Sequence, residues 1–364
     1  MKVIISGGGT GGHIYPAIAI ANALQNKVND IEILFIGAKG RMEMEKVPAA
    51  GFQIKGLWIS GLQRKLTFKN FLFPIKVISS MLNARSIISA FKPDVVIGVG
   101  GYASGPTLRV ACRKNIPSLI QEQNSYPGIT NKILGNRVRK ICVAYPNMER
   151  FFPANKLILT GNPVRNSIIN NQINKQTALS IFDLKYDKKT ILVIGGSLGA
   201  RTINESVSGF LKFIEDSDYQ LIWQTGKYYF EIAKQEVEKS NFHNIRVYEF
   251  INQMDMAYSA ADVIISRAGA IAISELCIVG KPVILIPSPN VAEDHQTKNA
   301  MALVQNNAAI LVKDVDARKH LKDTLNQLLN DSLQMELLSS RIKLLAYPNA
   351  AEQIADVVIS LINN

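Results

Sequence analysis

The sequence predicts an α/β protein built from two doubly wound parallel-sheet domains. Three observations carry this. Short apolar, β-branched runs alternate with helical patterns along the whole chain. The 364 residues exceed what one ordinary core holds. A single break, Gly161-Asn162-Pro163-Val164-Arg165, leads into a polar, Asn-rich stretch ending at Gln176, where neither strand nor helix can continue.

Strands are expected at residues 2–6, 32–36, 94–98, 118–121, 140–143 and 156–160. After the break they resume at 190–194, 220–223, 244–248, 262–265, 283–286 and 309–312. Helical patterns lie between them, among others at 17–24, 68–90, 203–213 and 296–305. The expected domains are residues 1–163 and 164–348. A last helix at 350–362, after Pro348, is placed to pack back on the first domain, so that 349–364 joins it. Two such domains joined by a hinge leave a cleft at the carboxyl ends of their strands, where ligands bind.

Nearly half the residues are apolar and a fifth are charged, a globular composition. The three cysteines, Cys112, Cys142 and Cys277, match no metal or redox spacing and suit a reducing compartment. Residues 2–6 read as a strand rather than a signal peptide, and no apolar run approaches the ~18 residues that span a bilayer. A cytoplasmic protein is expected. The net charge of +12 is uneven: residues 1–163 carry +14 and residues 164–364 carry −2. The first half is therefore expected to meet a polyanion, either a nucleic acid or an anionic membrane surface. No nucleic-acid motif supports the former.

Four strand ends carry small-residue loops. They are Gly7-Gly8-Gly9-Thr10-Gly11-Gly12-His13, Gly98-Val99-Gly100-Gly101-Tyr102-Ala103-Ser104-Gly105-Pro106, Gly195-Gly196-Ser197-Leu198-Gly199-Ala200-Arg201 and Ser266-Arg267-Ala268-Gly269-Ala270. Glycine lets backbone N–H groups approach an anion, and the helix start that follows is partly positive. Each loop is a candidate phosphate cradle. Gly7, Gly9 and Gly12 also satisfy the dinucleotide G-x-G-x-x-G pattern. That reading needs an acid at the end of the second strand, where Phe35-Ile36-Gly37-Ala38-Lys39 has none; Glu32 lies at the wrong end. A nicotinamide oxidoreductase is disfavoured.

The first two loops, together with Glu122-Gln123-Asn124, Thr160-Gly161-Asn162-Pro163-Val164-Arg165, the third loop, residues 266–275 and Asp294-His295-Gln296-Thr297-Lys298-Asn299-Ala300, resemble the motifs of the MurG glycosyltransferase family, in its order and spacing. The resemblance covers essentially the whole chain. It implies a GT-B fold, two Rossmann-like domains facing across a cleft. It further implies inverting transfer of N-acetylglucosamine from UDP-N-acetylglucosamine to undecaprenyl-pyrophosphoryl-muramoyl-pentapeptide (lipid I), giving lipid II. It implies no cofactor and no metal. Asp216-Ser217-Asp218 and Asp314-Val315-Asp316 match the bare D-x-D pattern of metal-using transferases, and both read better as turns or caps. Other GT-B transferases acting on a different acceptor would share the donor machinery.

Carried over by motif, the donor is expected at Thr10, Gly11, Gly12, Asn124, Arg165 and Ser197. The backbone at Ile251 is expected to meet the uracil. Ala270, Ile271, Ala272, Ile273, Ser274 and Glu275 would present a helix start to the diphosphate, with Glu275 on the ribose and Gln296 on the sugar hydroxyls. The acceptor is expected at Gly9, Tyr102, Gln121 and Gln123. Many family members have His where this chain has Gln121, so that position is not expected to supply an essential base. His13 becomes the candidate general base, since an unperturbed imidazole titrates near ~6.5. Glu122 is the second candidate, or else an anchor for its loop. Residues 62–76 mix Arg64, Lys65, Lys69 and Lys76 with Phe68, Phe71 and Phe73. This basic, apolar segment is expected to dock on an anionic membrane, placing the protein at its cytoplasmic face.

Overall fold

The computed structural model describes residues 1–61, 72–196 and 198–363. The chain forms two compact units, Met1–Arg165 with Tyr347–Asn364, and Asn166–Ala346.

The first unit holds a seven-stranded sheet: β1 (Lys2–Ser6), β2 (Glu32–Ala38), β3 (Gln53–Leu57), β4 (Val95–Gly98), β5 (Ser118–Glu122), β6 (Lys140–Val143) and β7 (Leu157–Leu159). The order is β3-β2-β1-β4-β5-β6-β7 and every pairing is parallel. The second unit holds β8 (Lys189–Ile194), β9 (Tyr219–Gln224), β10 (Ile245–Tyr248), β11 (Val263–Ser266), β12 (Val283–Leu285) and β13 (Ile310–Leu311). Their order, β10-β9-β8-β11-β12-β13, is also wholly parallel. Both sheets are Rossmann-like, and each reverses strand order once, at β1/β4 and at β8/β11. Ligands of open α/β sheets bind beyond the carboxyl ends of such a pair.

Strand periodicity explains the layers. Val3 and Ile5 of β1 point into one apolar layer with the helix α1 (Gly11–Lys27), while Ile4 points into the other with helices Phe73–Phe91 and Ser104–Arg113. Helix Ala350–Asn363 completes the first layer: Ile354, Ala355 and Val358 share a core with Ile20, Ala21 and Leu24 of α1. In the second unit, Ile191, Val193, Leu221, Trp223, Val263 and Ile265 pack under helices Arg201–Ser208, Leu211–Glu215 and Ala317–Asn330. Burying each large side chain contributes about 1.5–3 kcal/mol.

Three elements differ from expectation. β3 was not foreseen, because Gln53-Ile54-Lys55-Gly56-Leu57 alternates weakly and lies at the sheet edge, where polar residues are tolerated. The helix expected at 203–213 is two helices, broken at Gly209 and Phe210, where Phe210 leaves helical geometry (φ −132°) to enter the core. The helix expected from residue 68 is described from Phe73, with Pro74 in its first turn, where no N–H is needed; residues 62–71 lie outside the described residues.

Candidate functional site

In the first unit, the loops after β1 and β4 meet at the strand-order reversal. They touch backbone to backbone: a Cβ on Gly101 would stand 2.2 Å from the Gly8 carbonyl oxygen. Gly100 (φ 88°) lies against the His13 ring, where a Cβ would stand 2.6 Å from Cδ2. His13 thus sits in the first turn of α1, half-buried, with Nδ1 3.2 Å from Thr10 Oγ1. The direction of that bond follows the imidazole tautomer. Thr10 makes no side-chain cap, and the first turn of α1 carries no acidic residue, so Gly11 and Gly12 offer their N–H groups at a partly positive helix end.

Gly9 differs. Its N–H donates to Glu43 Oε2 at 2.9 Å, so an amide expected to meet the acceptor is already engaged. Glu43 was not singled out from sequence, because nothing in Arg41-Met42-Glu43-Met44 marks it.

Glu122 closes β5. It is 1 % exposed. One oxygen accepts from the backbone N–H and the Nδ2 of Asn124 (3.0 and 3.2 Å), the other from the Gly128 N–H and Asn131 Nδ2 (3.1 and 2.8 Å). Burial pushes the carboxyl above its ordinary range, against the pull of these four donors. Of its two expected roles, this geometry is that of a loop anchor. Gln121 and Gln123, expected at the acceptor, are buried instead. Gln121 Nε2 donates to Asn162 Oδ1 (2.8 Å), Gln123 Nε2 to the Val99 carbonyl (2.8 Å) and to Gln121, and Asn162 Nδ2 returns to the Gln123 carbonyl (3.0 Å). The network ties together the ends of β4, β5 and the Gly161 turn. Tyr102, by contrast, is half-exposed and lies over Gly61. Arg165 ends the first segment of this unit; its guanidinium lies 6.0 Å from the Tyr15 ring of α1, and Tyr15 covers Gly11.

In the second unit, the loop after β8 carries Gly195 and Gly196; Ser197 lies outside the described residues. Gly199 (φ 81°) meets the loop after β9, where a Cβ would stand 2.1 Å from the Thr225 carbonyl oxygen. Gln224 is buried between loops. Its Nε2 donates to the Gly196 carbonyl (3.3 Å) and its Oε1 accepts the Ile251 N–H (2.9 Å). Helix Ala270–Val279 starts at Gly269 with no side-chain cap and no acid in its first turn. Ala270, Ile271 and Ala272 are half-buried at its open end, Ile273 points into the core, and Ser274 Oγ donates back to the Ala270 carbonyl (3.1 Å). One turn in, Glu275 accepts from Tyr258 Oη (3.1 Å). Gln296 Oε1 accepts the Ser288 N–H (2.8 Å), fixing the turn after β12.

The acidic pairs divide. Asp314 accepts from Thr202 Oγ1 (2.9 Å) and pairs with Arg267, which also donates to the carbonyls of Ile286 and Pro287 (3.0 and 3.1 Å). Arg267 thereby holds the fourth loop to the turn that carries Ser288. Asp216 and Asp218 face solvent beside Lys212 and Lys188. No cluster of three metal-ligating side chains occurs among the described residues.

Residues 3–143 match the glycosyltransferase family 28 N-terminal domain and residues 190–354 its C-terminal domain. A UDP-N-acetylglucosamine--N-acetylmuramyl-(pentapeptide) pyrophosphoryl-undecaprenol N-acetylglucosamine transferase of Christiangramia forsetii is 54 % identical over 364 residues, 100 % of this chain and 98 % of that one. Its namesake in Flavobacterium psychrophilum is 54 % identical over 363 residues, with the same coverage. The crystal structure of Acinetobacter baumannii MurG aligns over 99 % of both chains with a TM-score of 0.81 and 28 % identity. The chain belongs to the MurG family. A UDP-GlcNAc 2-epimerase from Neisseria meningitidis, bound to UDP-GlcNAc, shares the fold (TM-score 0.70) at 16 % identity, covering 99 % of this chain and 100 % of that one.

The anchoring role of Glu122 has a direct test. Glu122→Gln keeps the shape but turns an N–H toward N–H donors, so it should lower unfolding free energy by about 1–3 kcal/mol in urea titration. Unchanged stability would remove the anchor.

Proposed function

We propose that the chain moves N-acetylglucosamine from UDP-N-acetylglucosamine to the muramoyl hydroxyl of lipid I, yielding lipid II and UDP for cell-wall synthesis, and hence for cell shape and division. The observation that carries this is the full-length identity to transferases of that name, in a chain whose two strand-order reversals offer chemically different sites. The second unit suits the donor. Gln224 sets the Ile251 backbone for the uracil, Glu275 stands ready for ribose hydroxyls, and Gln296 for the sugar. The open start of helix Ala270–Val279, with the third loop and Ser197, would take the diphosphate, and needs no cofactor to do so. The first unit suits the acceptor, through Tyr102 and the first loop; Thr10, Gly11, Gly12, Asn124 and Arg165 are assigned to the donor by motif.

The acceptor hydroxyl oxygen attacks the anomeric carbon from the face opposite the departing UDP. The new C–O bond forms as the bond to the β-phosphate oxygen breaks, so the anomeric configuration inverts. His13 accepts the hydroxyl proton, and helix-end N–H groups stabilise charge growing on the diphosphate.

Lipid I is held in a membrane, so the enzyme must work at its surface. No helix among the described residues is long and apolar enough to cross one. Leu72 and, on helix Phe73–Phe91, Ile75, Ile78 and Leu82 are exposed; the last three lie at helical spacing on one face. Trp58 is exposed beside them under Lys76. With the cations of residues 62–76, this face suits peripheral docking on the anionic cytoplasmic leaflet.

Two outcomes test the reading. His13→Ala should lower kcat by about 10²–10⁴-fold and abolish the acidic limb of the kcat–pH profile, with little change in donor KM. His13→Asn, which can still hydrogen-bond but cannot take a proton, should not restore the rate; if it does, His13 only binds. Replacing Arg64, Lys65, Lys69 and Lys76 with Gln should weaken co-sedimentation with anionic vesicles and flatten its salt dependence. Equal sedimentation would reduce these cations to solvation.

A further inference from the structure

Glu43 opens the short helix α2 (Glu43–Ala49) and is 1 % exposed, yet among the described residues no cation pairs with it. Its partners are two backbone amides: Oε1 accepts the Ala38 N–H and Oε2 the Gly9 N–H, each at 2.9 Å. The space around it is cut to fit. A Cβ on Gly8 would stand 2.2 Å from Oε1, and one on Gly37 would stand 2.5 Å from Cγ. A buried carboxylate is costly unless its oxygens are met, and an apolar residue would fill the same volume at less cost. What the carboxylate does that an apolar group cannot is hold two amides from different segments, the end of β2 and the loop after β1.

Gly9 is the amide of the first loop that a substrate anion would meet before the helix start. With Glu43 behind it, that amide already donates to a carboxyl oxygen and has no hydrogen left for a second acceptor. Substrate anion is thereby directed past Gly9 to the N–H groups of Gly11 and Gly12, beside His13.

We propose that Glu43 is a positioning residue, an internal acceptor that fixes Gly9 and so sets the start of α1, with His13, toward the acceptor substrate. The proposal rests on the reading that the first loop serves the acceptor and the proton transfer.

Glu43→Gln preserves size and the contact with Ala38 but turns an amide N–H toward the Gly9 N–H. In the full-length enzyme, kcat should fall by about 10–10²-fold, because small misplacements of reacting groups cost that much. UDP affinity by calorimetry should change by less than about twofold, since the groups assigned to uracil and ribose lie in the other unit. Gly9→Ala probes the same loop from its other side. A Cβ there meets nothing within 4 Å, so only the left-handed backbone (φ 91°) is strained. Its loss of kcat should fail to add to that of Glu43→Gln in the double variant. A lower melting temperature with unchanged kcat, or full additivity, overturns the proposal. Where Glu43→Gln does not fold, an unchanged kcat in Gly9→Ala overturns it equally. Absence of transfer by the unmodified enzyme would sink the functional reading itself, which separates the two failures.

Discussion

The site depends on backbone approaching backbone. At β1/β4, Gly101 lies so close to Gly8 that a single added carbon would stand 2.2 Å from a carbonyl oxygen; between the β8 and β9 loops, Gly199 and Gly226 repeat this closeness. Parallel strands with right-handed crossovers bring loop ends together in this way, and only glycine allows them to close. Helix starts are then left open beside them.

Buried polar groups keep the loops from collapsing or sliding. Glu122 gathers four N–H donors, Glu43 two, and Asp314 holds Arg267, which in turn caps two carbonyls. Gln224 and the Gln121–Gln123–Asn162 network do the same with neutral amides. The two glutamates and the amides are desolvated groups satisfied by backbone or by another amide, and Asp314 by a guanidinium and a hydroxyl, so each loses much if one partner is removed. That cost keeps the loops in place before any substrate arrives, as catalysis by preorganised dipoles requires.

Much of this was legible in the sequence. Strand periodicity and the Gly-Pro break gave both sheets, and the glycine loops marked both strand-order reversals, because backbone geometry there admits one residue type. β3 escaped because edge strands tolerate polar residues. Glu43 and Gln224 escaped for another reason. Their contacts join segments far apart in the chain, Glu43 to Gly9 across 34 positions and Gln224 to Ile251 across 27, and nothing local distinguishes them from surface residues. Gln121 and Gln123 illustrate the converse. Motif position suggested ligand contacts, whereas their burial in β5 and just beyond it directs their amides inward.

Because the same fold also serves UDP-GlcNAc 2-epimerases, the fate of the sugar decides the account. The decisive measurement incubates the purified chain with labelled UDP-N-acetylglucosamine and a lipid-linked muramoyl-pentapeptide acceptor, then assigns the product linkage by NMR. Inverting transfer releases one UDP per N-acetylglucosamine transferred and gives a β-linked product from the α-linked donor. Retention of the α configuration, an epimerised UDP-sugar, or UDP release without a labelled lipid would contradict it.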